Sequence, residues 1–175
     1  MMIINKPDSH FIFVFHTDHI NGRYNYINYQ GKALTNKEYL EHWGKFVSFG
    51  SPKEIDAIAR ALDTYVEQKV IPCIKYDRSP VTDLGLTECV LCVYCDDRQK
   101  NDVWAILKEH GVYIKAWVYE RETVEKWSPG GVLLEKWIAS HNLSEFQAEQ
   151  VREGARQKFR EMFKYPELTF RGIEQ

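Results

Sequence analysis

Three cysteines at three-residue spacing, Cys89, Cys92 and Cys95 in "ECVLCVYCDDRQ", have the look of a metal or iron–sulfur ligand set. Strand geometry argues otherwise. Side chains alternate between faces along a strand, so Cys89 and Cys95 share one face with Leu91 and Val93. Cys92 shares the other with Val90 and Tyr94. Ligands divided between two faces do not converge on one ion. The intervening Val, Leu, Val and Tyr favour extension over the tight knuckles of a structural zinc site. We read this stretch as a central core strand whose cysteines act as small hydrophobes, and expect neither metal nor cofactor. Cys73 belongs to a separate strand.

His16, Asp18 and His19 in "HTDH" are metal-ligand types. No further ligand follows at catalytic-zinc spacing, and a polar hairpin loop explains them. In "SPGGV" the free N–H groups of a helix start are able to hold an anion, and a plain helix boundary explains it equally. The chain has no Gly-x-Gly-x-x-Gly, phosphate loop or nucleophile elbow.

Basic and aromatic residues carry more. In "VYIKAWVYE", Val112, Ile114, Ala116 and Val118 alternate with Tyr113, Lys115, Trp117 and Tyr119. The first set is expected to face the core, the second a half-covered groove. "IPCIKYDR" adds Lys75 and Arg78 beside a long loop. If the strands adjoin, Lys75, Arg78, Tyr94, Lys115 and Trp117 form a ligand-binding groove. Rings stack on a planar body and cations meet phosphates there. The competing reading is a covered sheet face with lysine stems lying along the rings.

These residues need positioning elements. "HFIFVFH" and "RYNYINY" read as strands of a hairpin around Asn21-Gly22. Thr35 and Glu38 have capping-box spacing for a short helix to about Trp43, before the strand "KFVSFG". Ser51, Pro52 and Glu54 open the clearest helix, with Ile55, Ile58, Ala59, Leu62 and Val66 as its stripe. "VIPCIKYD" and "ECVLCVYC" are strands joined by the loop "RSPVTDLGLT". A helix buries Val103, Trp104, Ile106 and Leu107 before "VYIKAWVYE". Helices follow over "RETVEKW" and "VLLEKWIASH". A long amphipathic helix, capped by Ser144 and Gln147, carries Val151, Ala155, Phe159, Met162 and Phe163. "LTFRGI" ends the chain as an edge strand or loosely. The order predicts an α+β fold, a mostly antiparallel sheet with helices packed on one face plus C-terminal helices. Residues 1–175 read as a single domain, with a sheet-and-helix core over 1–127 and a helical extension over 128–175.

Of the 175 residues 44% are hydrophobic, enough for a sizeable core in one domain. A formal net charge of −2 excludes a global field for nucleic acid or anionic membrane. No apolar run approaches a membrane span, and the run from Phe11 to Phe15 is too short for a signal-peptide core. A cytoplasmic protein with reduced thiols is expected.

"GKFVSFGSPKEIDAIARAL", "IPCIKYD", "CVLCVYCDDRQKNDVWAIL" and "VYIKAWVYE" follow in succession, and over about residues 44–127 the chain resembles the uncharacterised family of basophilic-leukaemia-expressed proteins. That family is associated with a fold like translation initiation factor 4E, the messenger-RNA cap binder. The resemblance implies a curved antiparallel sheet backed by helices. Cap binders use two Trp, a Glu, and Lys or Arg for phosphates. Trp43, Trp117 and Trp127 are the Trp of this span outside the helix core, and Glu120 follows the strand bearing Trp117. Cap binding itself would rest on fold analogy.

The expected function is binding of a phosphate-bearing, nucleotide-like small molecule. The alternatives are a phosphate-acting lyase or hydrolase, with Lys75 or Lys115 as base and His16 or His19 as acid, and a protein-interaction domain. The last would use the C-terminal helix, which is placed either to cover the sheet or to form a homodimer contact.

Overall fold

The computed structural model describes residues 2–4 and 9–171. Its sheet has six strands in the order β1 (Met2–Ile4), β2 (Phe11–Phe15), β6 (Cys73–Asp77), β7 (Cys89–Asp96), β5 (Trp43–Gly50) and β8 (Trp117–Tyr119). Every pairing is antiparallel. A small hairpin, β3 (Asn28–Tyr29) with β4 (Lys32–Ala33), stands apart. The fold is α+β, as the sequence predicts.

The register shows what each face carries. Val14 pairs with Ile74, Ile74 with Val93, Val93 with Phe46 and Phe46 with Trp117. Residues opposed in an antiparallel pair point the same way, so this row looks to one side. There α3 (Pro52–Glu67) and α4 (Lys100–Glu109) cover it with Ile55, Ala59, Leu62, Val66, Val103 and Leu107. Cys89, Leu91, Val93 and Cys95 join this core, while Cys92 and Tyr94 join the cluster on the opposite face. The expected division of the cysteines holds, and all four are free and buried.

The capping boxes form as spaced. Thr35 with Glu38 opens α2 (Asn36–His42), Ser51 with Glu54 opens α3, and Ser144 with Gln147 opens α7 (Glu145–Lys164). Between β8 and α7 lie α5 (Glu120–Lys126) and α6 (Val132–Ser140). The corner before α6 needs glycine, since a Cβ on Gly131 would overlap the Glu125 and Lys126 carbonyls.

Two expectations need correction. β2 does not hairpin onto "RYNYINY". His16 Nδ1 accepts the Asp18 N–H at 2.8 Å and caps a helical turn, α1 (Thr17–Ile20), that carries the chain away. β2 pairs with β1 and β6 instead. Second, "VYIKAWVYE" forms a strand only over Trp117–Tyr119, paired with residues 44–46 of β5, and one further bond runs from Val47 N–H to the Ala116 carbonyl at 2.9 Å. Tyr113 and Ile114 are 87% and 79% exposed, so Ile114 is not core. For "LTFRGI", Thr169 bridges to Thr35, and Gly172 and Ile173 lie outside the described residues.

Candidate functional site

The second face of the sheet is only partly covered. Its inner row, Cys73, Tyr94, Lys45 and Val118 by pairing, lies near Tyr39 of α2, Val124 of α5 and Met162 of α7. The next rows, Lys75–Cys92–Val47 and Asp77 to Phe49 by way of Val90, floor an open cleft of about 1180 Å³. Its walls are α5, α6 and α7, with Trp127, Leu134, Trp137 and Phe159, and the loop 79–86. That size suits a ligand larger than a few atoms, and apolar walls with few polar groups are the usual make-up of a small-molecule site.

Charge in the cleft is unevenly satisfied. Each lining carboxylate has a partner. Asp77 accepts the Val90 N–H at 2.8 Å and lies 3.4 Å from His10. Asp83 lies 3.4 Å from His141. Glu120 lies 2.8 Å from Lys45 Nζ and accepts the Tyr39 hydroxyl at 3.2 Å. Lys75, Lys126 and Lys158 also line the cleft and form no ion pair among the described residues. Lys75 is half-buried, its ammonium 4.2 Å from the centre of the Phe11 ring.

The floor is electrostatically tight. Lys45 also donates to Thr123 Oγ1 at 3.2 Å. Burial pulls its pKa down, but the Glu120 charge, Cys92 and the Glu120 hydrogen bond together outweigh it, and the net shift is upward. Burial pushes the Cys92 thiol up against the opposing pull of Lys45 and Lys75. It also lifts the Tyr39 and Tyr94 phenols, with Glu120 adding to both. Burial raises Asp77 too, opposed by the Val90 N–H and by His10.

Of the five residues that the sequence brings forward, Lys75 and Tyr94 belong to this cleft. Arg78 lies just past β6, its Nε donating to the Ser9 carbonyl at 3.2 Å. Lys115 is exposed, with its ammonium 5.9 Å from the Trp104 ring centre. Trp117 packs against Phe46, ring centres 5.0 Å apart, on the α3–α4 side. The face assignment of the last strand is therefore reversed: Ala116 and Val118 line the cleft. Alternation groups residues by face, but it does not say which face is covered.

Lys45, Tyr39 and the lysines of α5 and α7 are what the sequence did not bring forward as a site, and Glu120 entered only through the resemblance. One signal was available. In "GKFVSFG" the alternation puts Lys45 with Val47 and Phe49, and a cation in an apolar stripe needs a buried partner. His16 and His19 do not line the cleft; they meet Glu67 and the Tyr24 carbonyl. Gly130 N–H donates to Glu135 at 2.9 Å, so at "SPGG" the chain supplies its own anion. Among the described residues, His42, Asp96 and Asp97 have metal-compatible spacing. Arg98 holds both Asp96 oxygens, and the Tyr119 hydroxyl and His42 hold Asp97.

No family model, curated protein or solved structure matches the chain. The resemblance to the basophilic-leukaemia-expressed proteins therefore rests on the quoted sequence stretches. Among the described residues no helix is long and apolar enough to cross a membrane.

Proposed function

We propose that the protein binds a phosphate-bearing, nucleotide-like small molecule in the cleft between the open sheet face and helices α5–α7. The supporting observation is the charge imbalance. Among the described residues three lining lysines form no ion pair, while each lining carboxylate lies beside Lys45, His10 or His141. An anionic group between such cations gains charge-assisted hydrogen bonds, and the apolar walls take the ligand's body. A nucleotide panel at millimolar concentration, read by thermal unfolding, tests this. At a concentration 100 times Kd, a ligand specific for the native state adds about 2.7 kcal/mol of stability. A rise in Tm that is reduced in Lys75→Met supports the reading. No rise with any nucleotide refutes it.

A lyase or hydrolase is the second reading, and one pair favours it. Lys45, Cys92, Tyr39 and Tyr94 all have pKa values displaced away from neutrality, which suits them poorly to proton transfer at neutral pH. Asp77 moves toward neutrality and lies 3.4 Å from His10. Acid and base would come from that pair.

A further inference from the structure

After α7 the chain turns back across the N-terminus of α2. The Leu168 and Pro166 carbonyls accept the Asn36 and Lys37 N–H groups at 2.7 and 2.9 Å. Phe170 N–H donates to the Leu34 carbonyl at 3.1 Å, and the Asn36 side chain donates to the Tyr165 carbonyl at 2.7 Å. Asn25 Nδ2 donates to the Phe170 carbonyl at 3.3 Å, so the segment is attached through its own backbone groups. Side chains 165–169 are exposed, and Phe170 alone of this stretch is turned inward. Its ring lies flat on Tyr39, with centres 3.8 Å apart and planes 5° from parallel. Both rings line the cleft, and the Tyr39 hydroxyl reaches Glu120 on the floor.

We propose that segment 165–171 is a displaceable strap, and that Phe170 plugs the inner end of the cleft where a ligand ring would otherwise stack on Tyr39. The idea rests on the reading of the cleft as a binding site for an anionic, ring-bearing molecule. A flat stack on a buried phenol is the contact such a ring would make. A strap held by backbone hydrogen bonds and one inserted side chain sits at the low end of local stability. Its hydrogen bonds pass to water when it lifts. Because the plugged state does not bind there, the strap lowers apparent affinity by the fraction of molecules that are open. Ligand binding and strap opening are then coupled: occupancy of the cleft exposes the first amides of α2.

The test uses the full-length chain and 1-anilinonaphthalene-8-sulfonate, a flat anionic probe that needs no knowledge of the natural ligand. Phe170→Ala is expected to bind it at least roughly threefold tighter than the wild type, by removing the closed fraction. Adding Lys75→Met must remove that gain, which separates the cleft from stray apolar surface. Saturating the wild type must also speed hydrogen exchange at the Asn36 and Lys37 amides, a readout that survives if Phe170→Ala fails to fold. Unchanged or weaker binding by a folded Phe170→Ala overturns the strap, as does unchanged or slower exchange at those amides. In either case, wild-type binding that depends on Lys75 leaves the cleft reading standing. Absence of binding to both wild type and variant removes the cleft reading and the strap together.

Discussion

Lys45 and Glu120 form a buried ion pair, with side chains 12% and 8% exposed. Such pairs are weak stabilisers as wholes, but removing one partner strands the other charge. Lys45→Met should therefore lower unfolding free energy by about 3–5 kcal/mol. Adding Glu120→Gln should recover part of the loss in urea titrations. A second residue-scale expectation concerns acid. The Arg152 hydrogen bond, then the Gly130 N–H, hold the Glu135 carboxyl down to about 2 from its ordinary 4.5. The sign for a depressed carboxylate is that its contribution is complete above the unfolded value and lost as pH falls through the folded one. The stability difference between wild type and Arg152→Met should thus hold down to about pH 4.5 and shrink toward pH 2. Chemical denaturation at a series of pH values measures it. Glu135 stood in the sequence without a visible role, since Arg152, its main partner, meets it only through the packing of α7 on α6.

Elements whose signals are local were the legible ones. Three capping boxes, the α3 stripe and the face alternation of β7 all depend on neighbours within a few residues. Ser144→Ala should weaken α7 by about 1 kcal/mol through loss of its cap. Helical content and Tm would report the change. Pairing is non-local, and there the sequence misled. β8 pairs with only three residues of β5, and the Trp117 ring lies across Gly44. A Cβ at position 44 would overlap that ring. Gly44→Ala should destabilise by about 1–3 kcal/mol and shift near-ultraviolet dichroism as Trp117 moves. Normal Tm and spectrum for that variant would contradict the packing described.

At the scale of the molecule, α7 decides the architecture. Most of its stripe packs inside the chain: Ala148, Val151 and Ala155 pack with Leu134 and Ile138, and Phe159 and Met162 reach the sheet-face cluster, while Phe163, expected in the stripe, is 61% exposed. The helix therefore covers part of the sheet and walls the cleft. Sequence reasoning expected an aromatic and basic groove and placed Lys75 and Tyr94 within it. It also put Lys115 and Trp117 there, because nothing local marks which face α3 and α4 will cover. The measurement that bears most directly on the central claim is a map of amide chemical shifts during titration with ADP. The account predicts saturable changes at Val47, Lys75, Val90 and Trp137, reduced in Lys75→Met. Changes centred on Lys115 and Trp117 would contradict it.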